Sequence, residues 1–392
     1  MNQIANSLQS IATKPKVCHF SSVHHQWDTR VFYRECRSLA KEFEVTFIGI
    51  GNFTGVKDGV KLIGIQKPKN PWIRFVYTLF KVFIEAVKVD AQIYHIHDAE
   101  MIPFGIVLSL SGKKVIYDIH ENTYDDILLK PWLPKSARIF FATLYNGLLR
   151  LGSNFLHYIV VIADPIFLPK FFVKPNQYTI IQNFADVEAL IPYRVIDRAS
   201  LEGNNLFYIG MIRDMYYDIN PVLEAIYILK QKGIECRLHL IGYFGVNTDS
   251  GFESYKNWEH IKNQVIYYGF KEMDEAYKIS MQCKVGICLK NQPQSMLVSH
   301  ERKLFEYMAI GLPSIFCNSH IYTAVNNSYK IGVAIDLQNP VEIADSIEDL
   351  LKNPEKLNEW AQNNLTASKT KFDWKLEEET IISLYFLLLK TS

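Results

Sequence analysis

The chain has 392 residues, 48% hydrophobic and 21% charged, with 42 Lys plus Arg against 41 Asp plus Glu and a net charge of +1. That length exceeds one ordinary core and suits two domains, and the composition leaves no room for extensive disorder. The charge balance argues against a nucleic-acid binder, so anion recognition has to be local, and six cysteines without a C-x-x-C pair argue against a disulfide framework or structural zinc site.

Residues 1–14 are polar and unpatterned and are expected to form a flexible tail. They lack the apolar run of a signal peptide, and no later segment reaches ~18 uninterrupted apolar residues, so a cytoplasmic protein is expected. From residue 15, short β-branched runs alternate with amphipathic segments: KVCHFSS, FYRECRSLAKE, EVTFIGI, QIYHIH, MIPFGIVLSLS and KKVIYDIH, with HYIVVIA and YTIIQNF continuing to about Asn183. Such alternation predicts βαβ units, hence a Rossmann-like domain over residues 15–184. FADVEALIPYRVIDRASLEGNN has no regular period and reads as linker and surface connection. The alternation restarts with NLFYIGMI, PVLEAIYILKQKG, CRLHLIG, QVIYYGF, KVGICL, ERKLFEYMAIG and SIFCN. Gly233 and Gly311 stand where helices should stop, and Pro313 prevents continuation past Leu312. A second Rossmann-like domain is therefore expected over residues 185–372. WKLEEETIISLYFLLLK, within residues 373–392, predicts a closing helix that packs back on the N-terminal domain. The expected fold class is α/β: two Rossmann-like domains whose strand ends face each other across a cleft.

No G-x-G-x-x-G follows the first strand, where His19 to His25 occupy the turn, so tight dinucleotide binding is disfavoured. The most informative stretch is SMLVSHERKLFEYMAIGLPSIF. Ser299 is expected to cap a helix from His300 to Ile310, whose free amides and partial positive charge would suit a diphosphate. Lys303 and Glu306 share one face of that helix, with Leu304, Phe305 and Met308 on the other side. On spacing alone, Glu306 is either an acceptor for a ribose diol or half of a solvated pair with Lys303.

LFEYMAIGLPSI resembles the nucleotide-sugar segment of glycosyltransferase family 4, glycosyl transferases group 1, of the surface-polysaccharide type. In that family a helix carrying the second glutamate of an E-x7-E motif precedes an A-x-G-x-P turn. The resemblance implies the GT-B form of the two-domain fold and assigns the ribose-binding glutamate to Glu306. The first motif glutamate falls at Val298, a departure that is either offset by Glu301 or leaves sugar contact to backbone amides and other side chains. NLFYIGMIRDMYYDINPVLEAIYIL resembles the family's diphosphate-binding strand and turn. Gly210 matches the glycine that allows phosphate approach, but Met211 and the Tyr216 to Asp218 stretch replace the usual basic pair, leaving Arg213, Lys303 and helix amides to hold the diphosphate. SSVHHQWDTRVFYRECRSLAKEFEVTFIGI resembles the opening of a subset with D-x-R-V in place of a glycine-rich loop. There, Asp28 and Arg30 either form a salt bridge shaping the acceptor side or leave Arg30 to meet an anionic acceptor. YHIHDAEMIPFGI and KKVIYDIHEN resemble further segments of the same subset, placing His97, Asp98 and Glu100, then Asp118, His120 and Glu121, at strand ends. His120 matches a histidine near the reacting sugar, where it would donate to a sugar hydroxyl or handle an acceptor proton.

The expected function is thus a retaining glycosyltransferase using a UDP- or GDP-type nucleotide sugar as co-substrate, with no cofactor and no metal. His120, Glu301 and Arg213 are the catalytic candidates. Gly210, Arg213, Ser299, Lys303 and Glu306 make up the donor side; Asp28, Arg30, His97, Asp98 and Glu121 make up the acceptor side. Ligand types alone would also allow a metal at His95, His97, Asp98 and His120. The retaining outcome comes from the resemblance, since Asp118 or Glu121 could serve as an inverting base. A nucleotide-sugar 2-epimerase and a catalytically degenerate scaffold are the competing classes. Between Ile127 and Ala163 no acidic residue occurs, while Lys130, Lys135, Arg138 and Arg150 lie among Trp132, Phe140, Phe141, Tyr145, Leu148, Leu149 and Phe155. This stretch, with PWIRFVYTLFKVFIEAVK, reads either as an anionic-membrane-facing surface with a lipid-linked acceptor, or as core helices with snorkelling cations.

Overall fold

The computed structural model describes residues 14–68, 71–120, 122–130, 133–163, 165–214, 217–245, 251–290 and 301–390. Residues 1–13, Glu121, Trp132 and the 291–300 stretch with Val298 and Ser299 lie outside them. The chain divides into two compact units, Met1–Gln182 with Glu377–Ser392, and Asn183–Leu376.

The first unit is built on an eight-stranded sheet formed by β1 (Lys16–His25), β2 (Glu44–Ile50), β3 (Thr54–Lys57), β4 (Val60–Ile65), β5 (Ile93–Ile96), β6 (Lys114–Ile119), β7 (Tyr158–Val161) and β8 (Tyr178–Ile180). Their order is β3-β4-β2-β1-β5-β6-β7-β8, and all neighbours are parallel except β3 and β4. The chain grows outward from β1 through β2 and β4, then returns to start the other half at β5. That reversal makes the carboxyl ends of β1 and β5 a topological switch point, where such sheets bind ligands. Register decides what stands there. His19 is paired with His95, and His95 with Ile116. Because side chains alternate with period two, His19, His95 and Asp118 share one face, and H-x-H and D-x-H spacing carries His97 and His120 onto it.

A six-residue π-helical turn, Val31–Cys36, follows β1. Its wide turn brings the Glu35 N–H to the Arg30 carbonyl at 2.9 Å and lines up two side chains that an α-helix would splay apart. The C-terminal helix, Trp374–Lys390, belongs to the first unit from Glu377 onward, where Tyr385 is fully buried and the rings of Phe43 and Phe386 meet at 5.0 Å.

The second unit carries β9 (Asn205–Met211), a two-residue ribbon of β10 (Arg213–Asp214) with β11 (Tyr217–Asp218), then β12 (Arg237–Tyr243), β13 (Val265–Tyr267), β14 (Val285–Cys288), β15 (Ser314–Cys317) and β16 (Gly332–Ile335). The main sheet is fully parallel in the order β13-β12-β9-β14-β15-β16. Its strand order reverses between β9 and β14, which is the second switch point. The stretch expected to be a surface connection is anchored in the core. Arg198 is fully buried and donates to the carbonyls of Ser280, Cys283, Ile310 and Gly311, at and just past the C-terminal ends of two helices. Four dipolar acceptors replace a carboxylate there, and burial still lowers the guanidinium to about 9. Gly311, at φ +68, ends the helix as expected, since a Cβ there would lie 3.1 Å from the Val195 carbonyl oxygen.

Candidate functional site

At the second unit's switch point β9 ends on Gly210 and Met211, β14 leads into Lys290, and the helix Arg302–Ala309 begins beyond it. Glu301 stands at the N-cap of that helix in extended backbone, φ −66 and ψ 131, and makes no side-chain cap. The helix thus begins at Arg302 and ends at Ala309, within the expected His300–Ile310, while Ser299 and His300 lie outside the described residues. The Glu301 N–H donates to the Tyr322 hydroxyl at 2.9 Å, and its carboxylate accepts from Tyr217 at 2.8 Å and meets Lys290 at 3.0 Å. These ties hold Glu301 out of the helical conformation.

Lys303 lies 3.6 Å from the other Glu301 oxygen, with its ammonium 4.8 Å from the centroid of the Tyr217 ring and 5.1 Å from that of Tyr208. Burial alone would raise the Glu301 carboxyl, but Lys303, Lys290 and the Tyr217 hydroxyl outweigh it and hold it at about 2. The carboxylate thus stays ionised between two cations, leaving an excess of one positive charge around it. Gly210 completes the cradle: it has φ +138, and a Cβ on it would lie 2.6 Å from the Lys303 ammonium. Only a residue without a side chain lets that cation sit against the strand end.

Glu306 is buried at 5% exposure and separate from Lys303. Arg302 Nε lies 3.0 Å from one of its oxygens and the Tyr277 hydroxyl donates to the other at 2.6 Å. The solvated Lys303–Glu306 pair is thereby ruled out, because each found a nearer buried partner. Arg213 donates to the Gly251 carbonyl at 3.1 Å and to Asn220 at 3.0 Å, with its guanidinium carbon 5.8 Å from the centroid of the Phe244 ring, so it braces the loop after β9.

The first unit's switch point is filled differently. Asp98 accepts from the Ser21 hydroxyl at 2.9 Å and from the Ser22 N–H at 2.6 Å, joining the ends of β5 and β1. Asp28 accepts the backbone N–H groups of Arg30 at 2.8 Å and Val31 at 2.9 Å and pairs with His24 at 3.0 Å. The side-chain salt bridge expected between Asp28 and Arg30 is absent. Arg30 turns inward instead, 4% exposed, donating to Asp118 at 3.3 Å and to the Ile181 carbonyl at 3.2 Å while its Nε passes 2.8 Å from Glu35. It is consumed by the core and does not present itself to an acceptor anion. Burial would raise Asp118, but Arg30 first and His120 next hold it well below the usual carboxylate range. Burial raises Glu35 well above that range and pushes His19, His95 and His97 down, His95 to about 3. Neutral rings and one balanced ion pair result.

Potential ligand atoms of His19, Glu35, His95 and His97, and those of His97, Asp118 and His120, lie within 4.8 Å of one another, so these are the groups among the described residues that could hold a metal. Asp98, considered from sequence, is committed to the serines. Lys290, Tyr217, Glu35 and Tyr385 were missed. For Lys290 the signal was present, a lysine directly after the apolar run KVGICL at a strand's carboxyl end.

The family described as Glycosyl transferases group 1 matches residues 194–366, essentially the second unit. Spore coat protein SA of Bacillus subtilis (strain 168) is 26% identical over 125 residues, 32% of each chain, so the match spans about a third of that relative's length. Among solved structures, sucrose-phosphate synthase from Thermosynechococcus elongatus is similar with a TM-score of 0.76 at 15% identity, covering 96% of this chain and 100% of the other. Anabaena Alr3699/HepE in complex with UDP-glucose is similar with a TM-score of 0.67 at 14% identity, covering 94% and 99%. The second unit is thus similar to the glycosyl transferases group 1 family, and the chain shares the two-unit GT-B fold of these solved structures along nearly its whole length.

Proposed function

We propose that the protein is a retaining glycosyltransferase that moves a sugar from a nucleotide-sugar donor held by the second unit to a glycan acceptor held by the first. The carrying observation is the buried Lys290–Glu301–Lys303 cluster against Gly210, an excess positive charge at a switch point. A cation in a low-dielectric pocket stabilises the charge that develops on a leaving diphosphate without metal or cofactor. Glu306, one turn further, is the acceptor for the ribose diol, with Arg302 and Tyr277 fixing its orientation. UDP is the first nucleotide to test, given the UDP-glucose bound by the Anabaena neighbour.

Titrating UDP, GDP, ADP and CMP against the purified protein should reveal one preferred diphosphate, and Glu306→Ala should weaken it by about tenfold or more, the loss of a charged hydrogen bond. No binding of any nucleotide by the intact protein overturns the proposal, and donor turnover without acceptor points to an epimerase.

A lipid-linked acceptor in capsular, exopolysaccharide or lipopolysaccharide assembly fits the first unit's surface. Val76, Tyr77, Phe80 and Ile84 on the helix Pro71–Val89, and Ile139, Phe140, Phe141 and Leu144 on the helix Lys135–Phe155, are exposed, as are Lys135 and Arg150. Tyr145 and Leu149 from the same expected stretch are buried. No described helix is long and apolar enough to cross a membrane, so peripheral attachment is the form proposed.

A further inference from the structure

His19, His95, His97 and His120 of the first unit form with Tyr385 one continuous chain of hydrogen bonds. His120 Nε2 lies 3.1 Å from His97 Nδ1, and His97 Nε2 lies 3.0 Å from His19 Nδ1. His19 Nε2 lies 2.8 Å from the Tyr385 oxygen, which is 2.7 Å from His95 Nδ1. Each link uses one nitrogen of each ring, and a neutral imidazole has one N–H to give, so all protons in the chain must run the same way.

Asp118 decides which way. Apart from His97 Nδ1 at 3.7 Å, which is engaged with His120 Nε2 in either sense, its Oδ2 faces His120 Nε2 at 3.2 Å at one end of the chain and His95 Nε2 at 3.9 Å at the other. Were the protons to run from His95 towards His120, both of these nitrogens would be bare, each turning a lone pair on an ionised carboxylate in a buried site. Running from His120 towards His95, both carry the proton and face it with N–H. In that sense His120 donates to Asp118 and His97, His97 to His19, His19 to the Tyr385 oxygen, and the Tyr385 hydroxyl to His95. His95 Nε2, which has no hydrogen-bond partner, then turns its N–H rather than a lone pair towards the carboxylate. Arg30 keeps Asp118 charged, and all rings but His120 are sealed from solvent, with side-chain exposures of 0% against 14%.

We propose that Asp118 directs this circuit through His97, His19, Tyr385 and His95, locking His120 as the Nε2–H tautomer, so that His120 meets its substrate through a bare Nδ1, as a hydrogen-bond acceptor for a hydroxyl. A proton taken at Nδ1 would leave the Nε2–H on Asp118, whose charge stabilises the imidazolium. This resolves whether His120 donates to a sugar hydroxyl or accepts from it, and it makes Asp118 and Tyr385 positioning residues. The hydroxyl rests on the transferase reading. The tautomer does not, and its test needs no substrate.

The test is two-bond ¹H–¹⁵N correlation spectroscopy of the full chain carrying ¹⁵N-histidine, with His120→Gln used to assign the His120 signals. The expected result is a protonated Nε2 and a bare Nδ1 for His19, His95, His97 and His120 alike. A protonated Nδ1 on His120, or mixed tautomers among the four, overturns the proposal. So does a change in these signals on adding EDTA, which would make the cluster a metal site. Asp118→Asn should switch His120 to Nδ1–H. Should that variant not fold, Tyr385→Phe keeps the ring packing and should shift the His19 and His95 nitrogens while His120 holds its Nε2–H. Unchanged His19 and His95 signals in Tyr385→Phe overturn the circuit.

Discussion

The two units place the same structural feature, the carboxyl ends of strands at a topological switch point, and furnish it in opposite ways. In the first, Arg30 and Asp118 pair with one another, and burial pushes Glu35 up and His19, His95 and His97 down, so the interior of the site offers directed polar atoms and little free charge. In the second, Lys290 and Lys303 share one carboxylate, so a cation remains to be neutralised by something that binds. The first arrangement suits a hydroxyl-rich neutral ligand, the second an anion. On the proposed function, one topology would serve two ligand chemistries by changing which charges are left over.

The comparison is broken most severely by removing the carboxylate from each unit. Asp118→Ala strands a buried guanidinium and should cost about 3–5 kcal/mol in denaturant unfolding of the first unit. Glu301→Gln frees cations that an anion can then occupy, so it should cost less and tighten UDP. Equal losses in the two variants would refute the distinction. Acid should expose the same carboxylate. Glu301 is lowered from 4.5 to about 2, so its contribution is present above the higher value and is lost as pH falls towards the lower. Second-unit stability should therefore drop across that window, and Glu301→Gln should flatten the decline.

A smaller effect is expected from Gly210→Ala, whose methyl group must displace the end of a flexible lysine and adopt a strained φ. Stability should fall by about 1 kcal/mol while UDP affinity falls severalfold. The smallest concerns the first unit's exterior. Arg150→Glu should weaken pelleting with anionic liposomes at low salt by about fivefold, from roughly 1 kcal/mol per basic residue near the surface. Pelleting that ignores both salt and this charge would remove the membrane part of the proposal.

What the sequence made legible is local. Strand and helix alternation, Gly311 with Pro313 as a stop, and Glu306 on the helix before it all follow from periodicity and turn chemistry over a few residues. What stayed hidden depends on pairs far apart in the chain. Arg30 has Asp28 two residues away in the sequence, whereas its buried partner Asp118 is 88 residues away. Nothing near Glu301 in sequence announces that Tyr217 and Tyr322 hold it extended. Tyr385 is 366 residues from His19, and no short-range pattern connects a tyrosine in an apolar closing helix with a histidine in the first strand.

The route of that closing helix bears on synthesis. It starts at Trp374, whose N–H donates to the Ala185 carbonyl in the second unit, and ends by delivering Tyr385 into the interior of the first. A chain emerging from the ribosome therefore begins the first unit, completes all but the end of it, builds the second unit entire, and only then supplies the hydroxyl that joins His19 to His95. The unit started earliest is the one finished last, so a nascent chain stalled short of Tyr385 carries a complete second unit and a first unit still lacking the link between His19 and His95.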